Sequence, residues 1–126
     1  MGSPKGKTAI VIDDMKAMRN LNKVLLKTIG VEVLGEAENG AEAVELYKST
    51  SPDVVLLDVE MPVMDGFQAL NAIRKHDKAA NIVMVTTLSN WSVTEACMMA
   101  GAIGYIQKDE APDVIKERLV EVISSL

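Results

Sequence analysis

A chain of 126 residues and 13.6 kDa is long enough to close one hydrophobic core and leaves no room for a second domain. Hydrophobic residues make up 48% and charged residues 25%, an ordinary soluble composition, and no apolar run approaches the roughly 20 residues that cross a bilayer. A net charge of -5 with a pI near 4.8 argues against nucleic-acid binding by charge alone and suits a metal cation and a basic partner.

Residues 1–7, rich in Gly, Ser, Pro and Lys, read as a flexible tail or cloning remnant, leaving 8–126 as one domain. Thr8 to Ile12 is a β-type run, after which Met18, Leu21, Val24, Leu25 and Ile29 repeat at helical spacing. Val31 to Leu34 is the next strand. Asn39, with Glu42 as its reciprocal partner, opens a helix through Lys48 whose inner face is Ala43, Val44, Leu46 and Tyr47. Val54 to Leu57 is unbroken and apolar, as a central strand covered on both faces must be.

The loop Val59 to Asp65 leads to a helix capped by Asp65 with Gln68, burying Ala69, Leu70 and Ile73. It ends on Arg74, Lys75 and His76, where positive charge complements the helix dipole. His76, the only histidine, reads as a solvated helix end. Ile82 to Val85 is the fourth strand. Ser92 and Glu95 have capping-box spacing and predict a helix from Val93, in which Cys97 is a small buried hydrophobe and one or both of Met98 and Met99 are core. Ile103 to Gln107 is the fifth strand, and Pro112 suits the first turn of a last helix carrying Ile115, Leu119, Val122, Ile123 and Leu126. A single cysteine and no visible signal peptide fit a cytoplasmic protein. Five strand-helix units in order predict an α/β fold with a doubly wound parallel sheet.

Four of these strands run into polar residues: Asp13 and Asp14, Asp58, Thr86 and Lys108. Parallel strands share a carboxyl edge, and open α/β sheets bind ligands there. Asp at a strand-to-helix junction is by itself an N-cap. Three carboxylates converging on one edge repel unless a cation sits among them, and a few carboxylates, a carbonyl and waters make a magnesium site. The expected direct ligands of Mg2+, for which Mn2+ can substitute, are Asp14, Asp58 and the Glu60 carbonyl, with Asp13 bonding through a metal-bound water. The second oxygen of Asp58 is then placed to attack a phosphoryl group, with Lys108 and the Thr86 hydroxyl binding two of its oxygens.

Asp13-Asp14, Asp58 followed by Met61-Pro62 and Asp65-Gly66, then Thr86, Tyr105 and Lys108 resemble, in order and spacing, the receiver domain of two-component response regulators. The likeness spans nearly everything after Lys7. It is similar to the single-domain chemotaxis type, CheY-like, and the stretch around Asp58 also resembles the receiver half of the chemotaxis methylesterase. The resemblance implies a flavodoxin-like strand order 2-1-3-4-5 with five helices. It further implies a histidine kinase donating its phosphoryl group to Asp58, a response through Thr86 and Tyr105, and a downstream protein target. Such a protein is no enzyme beyond promoting its own phosphorylation and dephosphorylation. The expected output face is the fourth helix, fifth strand and fifth helix, with Trp91 and Tyr105 as its partner residues, Trp91 being either an exposed interface anchor or a hydrophobic staple packed on Ala96.

The chain departs from the family at three positions. Asp109 stands where receivers commonly carry proline after the lysine, which predicts a trans or strained Lys108-Asp109 bond, since a cis bond before a non-proline costs about 3 to 4 kcal/mol. Asp109 is also placed to hold Lys108 back. Glu60 and Leu88 occupy the two positions that set water access in the family, and apolar Leu88 predicts slow self-dephosphorylation. Competing readings are a receiver-like docking module that takes no phosphate, a haloacid-dehalogenase phosphatase, whose second aspartate and cap domain are missing, and a flavodoxin, whose flavin phosphate Asp13-Asp14 would repel. The kinase, the target, the oligomeric state and whether the receiver stands alone are open.

Overall fold

The computed structural model describes residues 2–126, the side chain of Leu88 excepted. Strands and helices alternate: β1 (Thr8–Ile12), α1 (Lys16–Thr28), β2 (Glu32–Ala37), α2 (Gly40–Thr50), β3 (Val54–Asp58), α3 (Gly66–His76), β4 (Ile82–Thr86), a short 3-10 turn (Leu88–Asn90), α4 (Trp91–Met99), β5 (Gly104–Gln107) and α5 (Pro112–Ser124). The sheet has five strands in the order β2-β1-β3-β4-β5, all four pairings parallel.

Side chains alternate across a strand, so the central strands divide their residues between two cores. Ile10, Ile12, Val55, Leu57, Ile82 and Met84 pack with Tyr47, Ala69, Leu70, Ile73 and Cys97 from α2, α3 and α4. Ala9, Val11, Val54, Leu56, Val83 and Val85 pack with Leu25, Leu26, Ile115, Leu119 and Ile123 from α1 and α5. Every residue of β3 and β4 is buried, which is why both read as continuous apolar runs.

Several expectations are corrected. The second strand begins at Glu32 and runs to Ala37, alternating exposed and covered residues as an edge strand does. Val24 lies on the solvent side of α1. The Ser92-Glu95 spacing does not form a capping box: α4 starts at Trp91, its N-cap Asn90 makes no side-chain cap bond, and the 3-10 turn delivers the chain directly into the helix. Trp91 packs edge-on against Tyr105, ring centroids 5.2 Å apart, and remains 43% exposed. Of the two methionines, Met98 packs against the core and Met99 is exposed. Asn39 caps α2 by accepting from the Glu42 N–H, but the reciprocal half is not formed, because the Glu42 carboxylate accepts from the Glu38 N–H at 3.4 Å instead. Other expectations hold: Asp65 and Gln68 form a reciprocal capping box, Cys97 is buried, and Pro112 opens α5.

In the segment before β1, Pro4 is buried and the Gly6 N–H donates to the Gly30 carbonyl at 2.9 Å. No helix among the described residues is long and apolar enough to cross a membrane.

Candidate functional site

The register of β1, β3, β4 and β5 brings their carboxyl ends to one edge, and Asp13, Asp14, Asp58 and Lys108 meet there. Carboxylate oxygens of the three aspartates all lie within 4.8 Å of one another. Asp13 and Asp58 are buried and Asp14 is exposed. Lys108 Nζ reaches between the two buried carboxylates, 3.3 Å from Asp58 Oδ1 and 3.6 Å from Asp13 Oδ2.

The backbone around each residue explains its position. Asp58 is the last residue of β3, and the chain then folds back so that the Gly66 N–H donates to the Val59 carbonyl at 2.8 Å. A side chain at position 66 would collide with the Asp58 carbonyl oxygen. Within the same loop, Val63 adopts a left-handed φ of 68°, a conformation costly for a β-branched residue. Asp13 Oδ1 accepts from the Met15 N–H at 2.9 Å, a short Asx turn that leads into α1. Arg19 donates to the Asp13 carbonyl at 2.7 Å and to Glu36 at 2.8 Å. Lys23 also pairs with Glu36, and these two cations hold the Glu36 carboxyl below its usual range.

Burial pushes the Asp58 carboxyl up to about 7, and the neighbouring Asp13 carboxylate adds to this, against the pull of Lys108 and the Glu60 N–H. Burial likewise raises Asp13, against the Met15 N–H and Lys108. For Lys108, burial acts to lower the ammonium, but Asp58 and Asp13 outweigh it and raise it overall. Among the described residues, one oxygen of each buried carboxylate, Asp13 Oδ2 and Asp58 Oδ2, has no hydrogen-bond partner, the Lys108 ammonium standing 3.6 Å from the first. Unpartnered buried oxygens on adjacent acids are costly. A hard divalent cation offset by the third carboxylate is the group that would relieve both, and the donor set is the all-oxygen one that Mg2+ takes.

The remaining residues expected at the site are placed differently. Thr86 is buried, but its hydroxyl lies 2.6 Å from Thr94 Oγ1 and 3.0 Å from the Thr87 carbonyl, and none of its hydrogen bonds reaches the acids. The Glu60 carboxylate is exposed and accepts from the Asn90 amide at 3.3 Å. Tyr105 is half-buried against Trp91. Asp109 is exposed, and the ion pairs of Lys108 among the described residues are with Asp13 and Asp58. The peptide bond between them is trans. The Leu88 side chain, read as setting water access, lies outside the described residues.

Thr94, Arg19 and Asn90 were not legible as site residues. A threonine, an arginine and an asparagine inside helices or turns carry no spacing signal, because their roles arise from contacts between elements distant in sequence.

Comparison with known proteins places this geometry. The model of the response regulator receiver domain matches residues 9–120. The chemotaxis protein CheY of Bacillus subtilis is 39% identical over 115 residues, covering 91% of this chain and 96% of that protein. Among solved structures, a CheX-CheY-BeF3-Mg complex from Borrelia burgdorferi superposes with a TM-score of 0.86 at 28% identity, over 94% of this chain and 86% of that one. The response regulator domain of Thermotoga maritima CheB superposes with a TM-score of 0.85 at 29% identity, over 94% of both chains.

Proposed function

This chain belongs to the response regulator receiver domain family and is CheY-like, and from that premise we propose that it is a phosphorylation-activated switch of the chemotaxis type. Asp58 is the phosphoryl acceptor. The observation that carries the reading is the buried Asp13-Asp58 pair, each with one oxygen that accepts no hydrogen bond among the described residues, with Lys108 reaching between them.

Asp14, Asp58, the Glu60 carbonyl and, through water, Asp13 would hold Mg2+, with Mn2+ as a substitute. When bound, the metal neutralises charge on the acids and on the phosphoryl oxygens. The side chains supply the rest. A carboxylate oxygen of Asp58 attacks phosphorus, and the bond from phosphorus to the imidazole nitrogen of a histidine kinase's phosphohistidine breaks. The departing imidazole keeps the bonding electron pair. Lys108, already next to Asp58 Oδ1, supplies positive charge to one phosphoryl oxygen. Thr86 supplies a hydroxyl donor to another once it turns from its present partners.

The signal would leave through α4, β5 and α5, where Trp91 and Tyr105 form one aromatic surface suited to a downstream protein. This reading makes the protein a switch that only promotes its own phosphorylation and dephosphorylation, located in the cytoplasm with its kinase.

Incubation with phosphoramidate and Mg2+ tests it. The expected result is a mass gain of one phosphoryl group on wild-type protein, absent from Asp58→Asn and lost on chelation. A protein that stays unmodified at saturating donor and metal would be a docking module, and hydrolysis of a phosphomonoester such as p-nitrophenyl phosphate would indicate a phosphatase.

A further inference from the structure

The Thr86 hydroxyl carries one hydrogen, and two acceptors stand within reach of it, Thr94 Oγ1 at 2.6 Å and the Thr87 carbonyl at 3.0 Å. Thr94 Oγ1 lies 2.9 Å from the Asn90 carbonyl four residues earlier, an acceptor with no proton to give. Thr94 therefore donates to Asn90, a back-bond typical of threonine inside a helix. In the 2.6 Å contact between the two hydroxyls, Thr94 then accepts and Thr86 donates, the Thr87 carbonyl being a second and more distant acceptor for the same hydrogen at 3.0 Å. The result is a one-way chain, Thr86 to Thr94 to the Asn90 carbonyl, formed by two side chains that are 2% and 0% exposed.

Asn90 is the N-cap of α4 and makes no side-chain cap bond. Its amide instead donates toward Glu60 Oε2 at 3.3 Å and Thr87 Oγ1 at 3.2 Å. The first turn of α4 is thus tied on one side to the loop beside Asp58 and on the other, through Thr94, to Thr86.

We infer that Thr94 is a positioning residue for the switch: its hydroxyl holds Thr86 in the resting state and competes with the phosphoryl group for the single Thr86 proton. This rests on the reading of Asp58 as phosphoryl acceptor. Once Thr86 donates to a phosphoryl oxygen, Thr94 keeps its bond to the Asn90 carbonyl but loses the donor it accepted from, and a buried hydrogen bond given up without replacement is costly. Movement of the first turn of α4 relieves that cost, so occupancy at Asp58 reaches Trp91, the neighbour of Asn90, through hydroxyl chemistry.

Beryllofluoride, a non-covalent stand-in for the phosphoryl group, provides the test in the presence of Mg2+. Its binding is followed by the fluorescence of Trp91, the sole tryptophan. Thr94→Val removes the competing acceptor at nearly constant volume and is expected to tighten beryllofluoride binding about fivefold, the factor an ordinary net hydrogen bond represents. Thr94→Ser should restore wild-type affinity. In a Thr86→Ala background, Thr94→Val should change nothing, because no proton remains to compete for. Equal affinities for wild type and Thr94→Val, or the same tightening in the Thr86→Ala background, would overturn the inference while leaving the acceptor role of Asp58 intact. A wild-type protein that binds no beryllofluoride and takes no phosphoryl group from phosphoramidate removes both. Should Thr94→Val not fold, the Thr94 methyl resonance of the wild type decides: it must shift on beryllofluoride binding, and an unmoved resonance overturns the inference.

Discussion

At the scale of single residues, the site is held together against its own electrostatics. Asp58 sits with its carboxyl raised to about 7 by burial and by Asp13, far above an ordinary aspartate at about 3.9. In metal-free protein the folded state keeps a proton that the unfolded chain releases across this interval. Stability is therefore highest at low pH within the window and falls as pH rises from about 4 to about 7, then levels. Asp58→Asn removes the charge at nearly constant shape. It is expected to raise metal-free stability at pH 8 by on the order of 2 kcal/mol and to flatten that slope, as read from urea unfolding at several pH values. A second residue-scale strain lies in the loop after Asp58, where exposed Val63 holds a φ of 68°. Asparagine tolerates this region far better than valine, so Val63→Asn should stabilise the fold by about 1 kcal/mol by the same measurement. The acids and the lysine were legible in the sequence because strand ends are few and charged residues rarely terminate buried strands without a purpose. Val63 and Thr94 were not, since a backbone angle and a hydroxyl contact leave no trace in residue order.

At the scale of elements, two of the three candidate capping boxes with the same spacing had opposite fates. Asp65 accepts from the Gln68 N–H at 2.8 Å, and Gln68 accepts from the Asp65 N–H at 3.1 Å. Ser92 and Glu95 make no such pair because the 3-10 turn has already started the helix before Ser92. Sequence spacing registers what a cap needs locally, whereas the point at which α4 begins is set by how the β4 end turns and where Trp91 meets Tyr105. The contrast is measurable. Asp65→Ala should cost about 1 kcal/mol and Ser92→Ala only a few tenths, within the error of a surface substitution, in denaturant unfolding. The extent of the second strand was likewise illegible beyond its apolar start, because an edge strand alternates and its Glu32 and Glu36 resemble loop residues. Glu36 nonetheless matters to the site: through Arg19 it fixes the carbonyl of Asp13.

At the scale of the whole molecule, the strand order is what turns four scattered residues, Asp13, Asp14, Asp58 and Lys108, into one site. With β1 and β3 adjacent and β4 and β5 following, four carboxyl ends share one edge, and the two apolar cores on either face fix the sheet rigidly enough to keep like charges together. The cation that the arrangement calls for should then act on the entire fold. A ligand bound only by the folded state stabilises it by about 2.7 kcal/mol at a hundredfold excess over its dissociation constant, which for a domain of this size raises the unfolding temperature by roughly 10 °C. Protons compete for the same carboxylates, so Mg2+ should raise the unfolding temperature more at pH 8 than at pH 6, opposite in direction to the falling stability of metal-free protein over that range. With saturating Mg2+ the two trends offset and the pH profile of thermal unfolding should flatten, while Asp58→Asn should lose most of the magnesium response at either pH. A magnesium-induced shift equal at pH 6 and pH 8 would mean that the cation binds elsewhere than at the raised carboxylates.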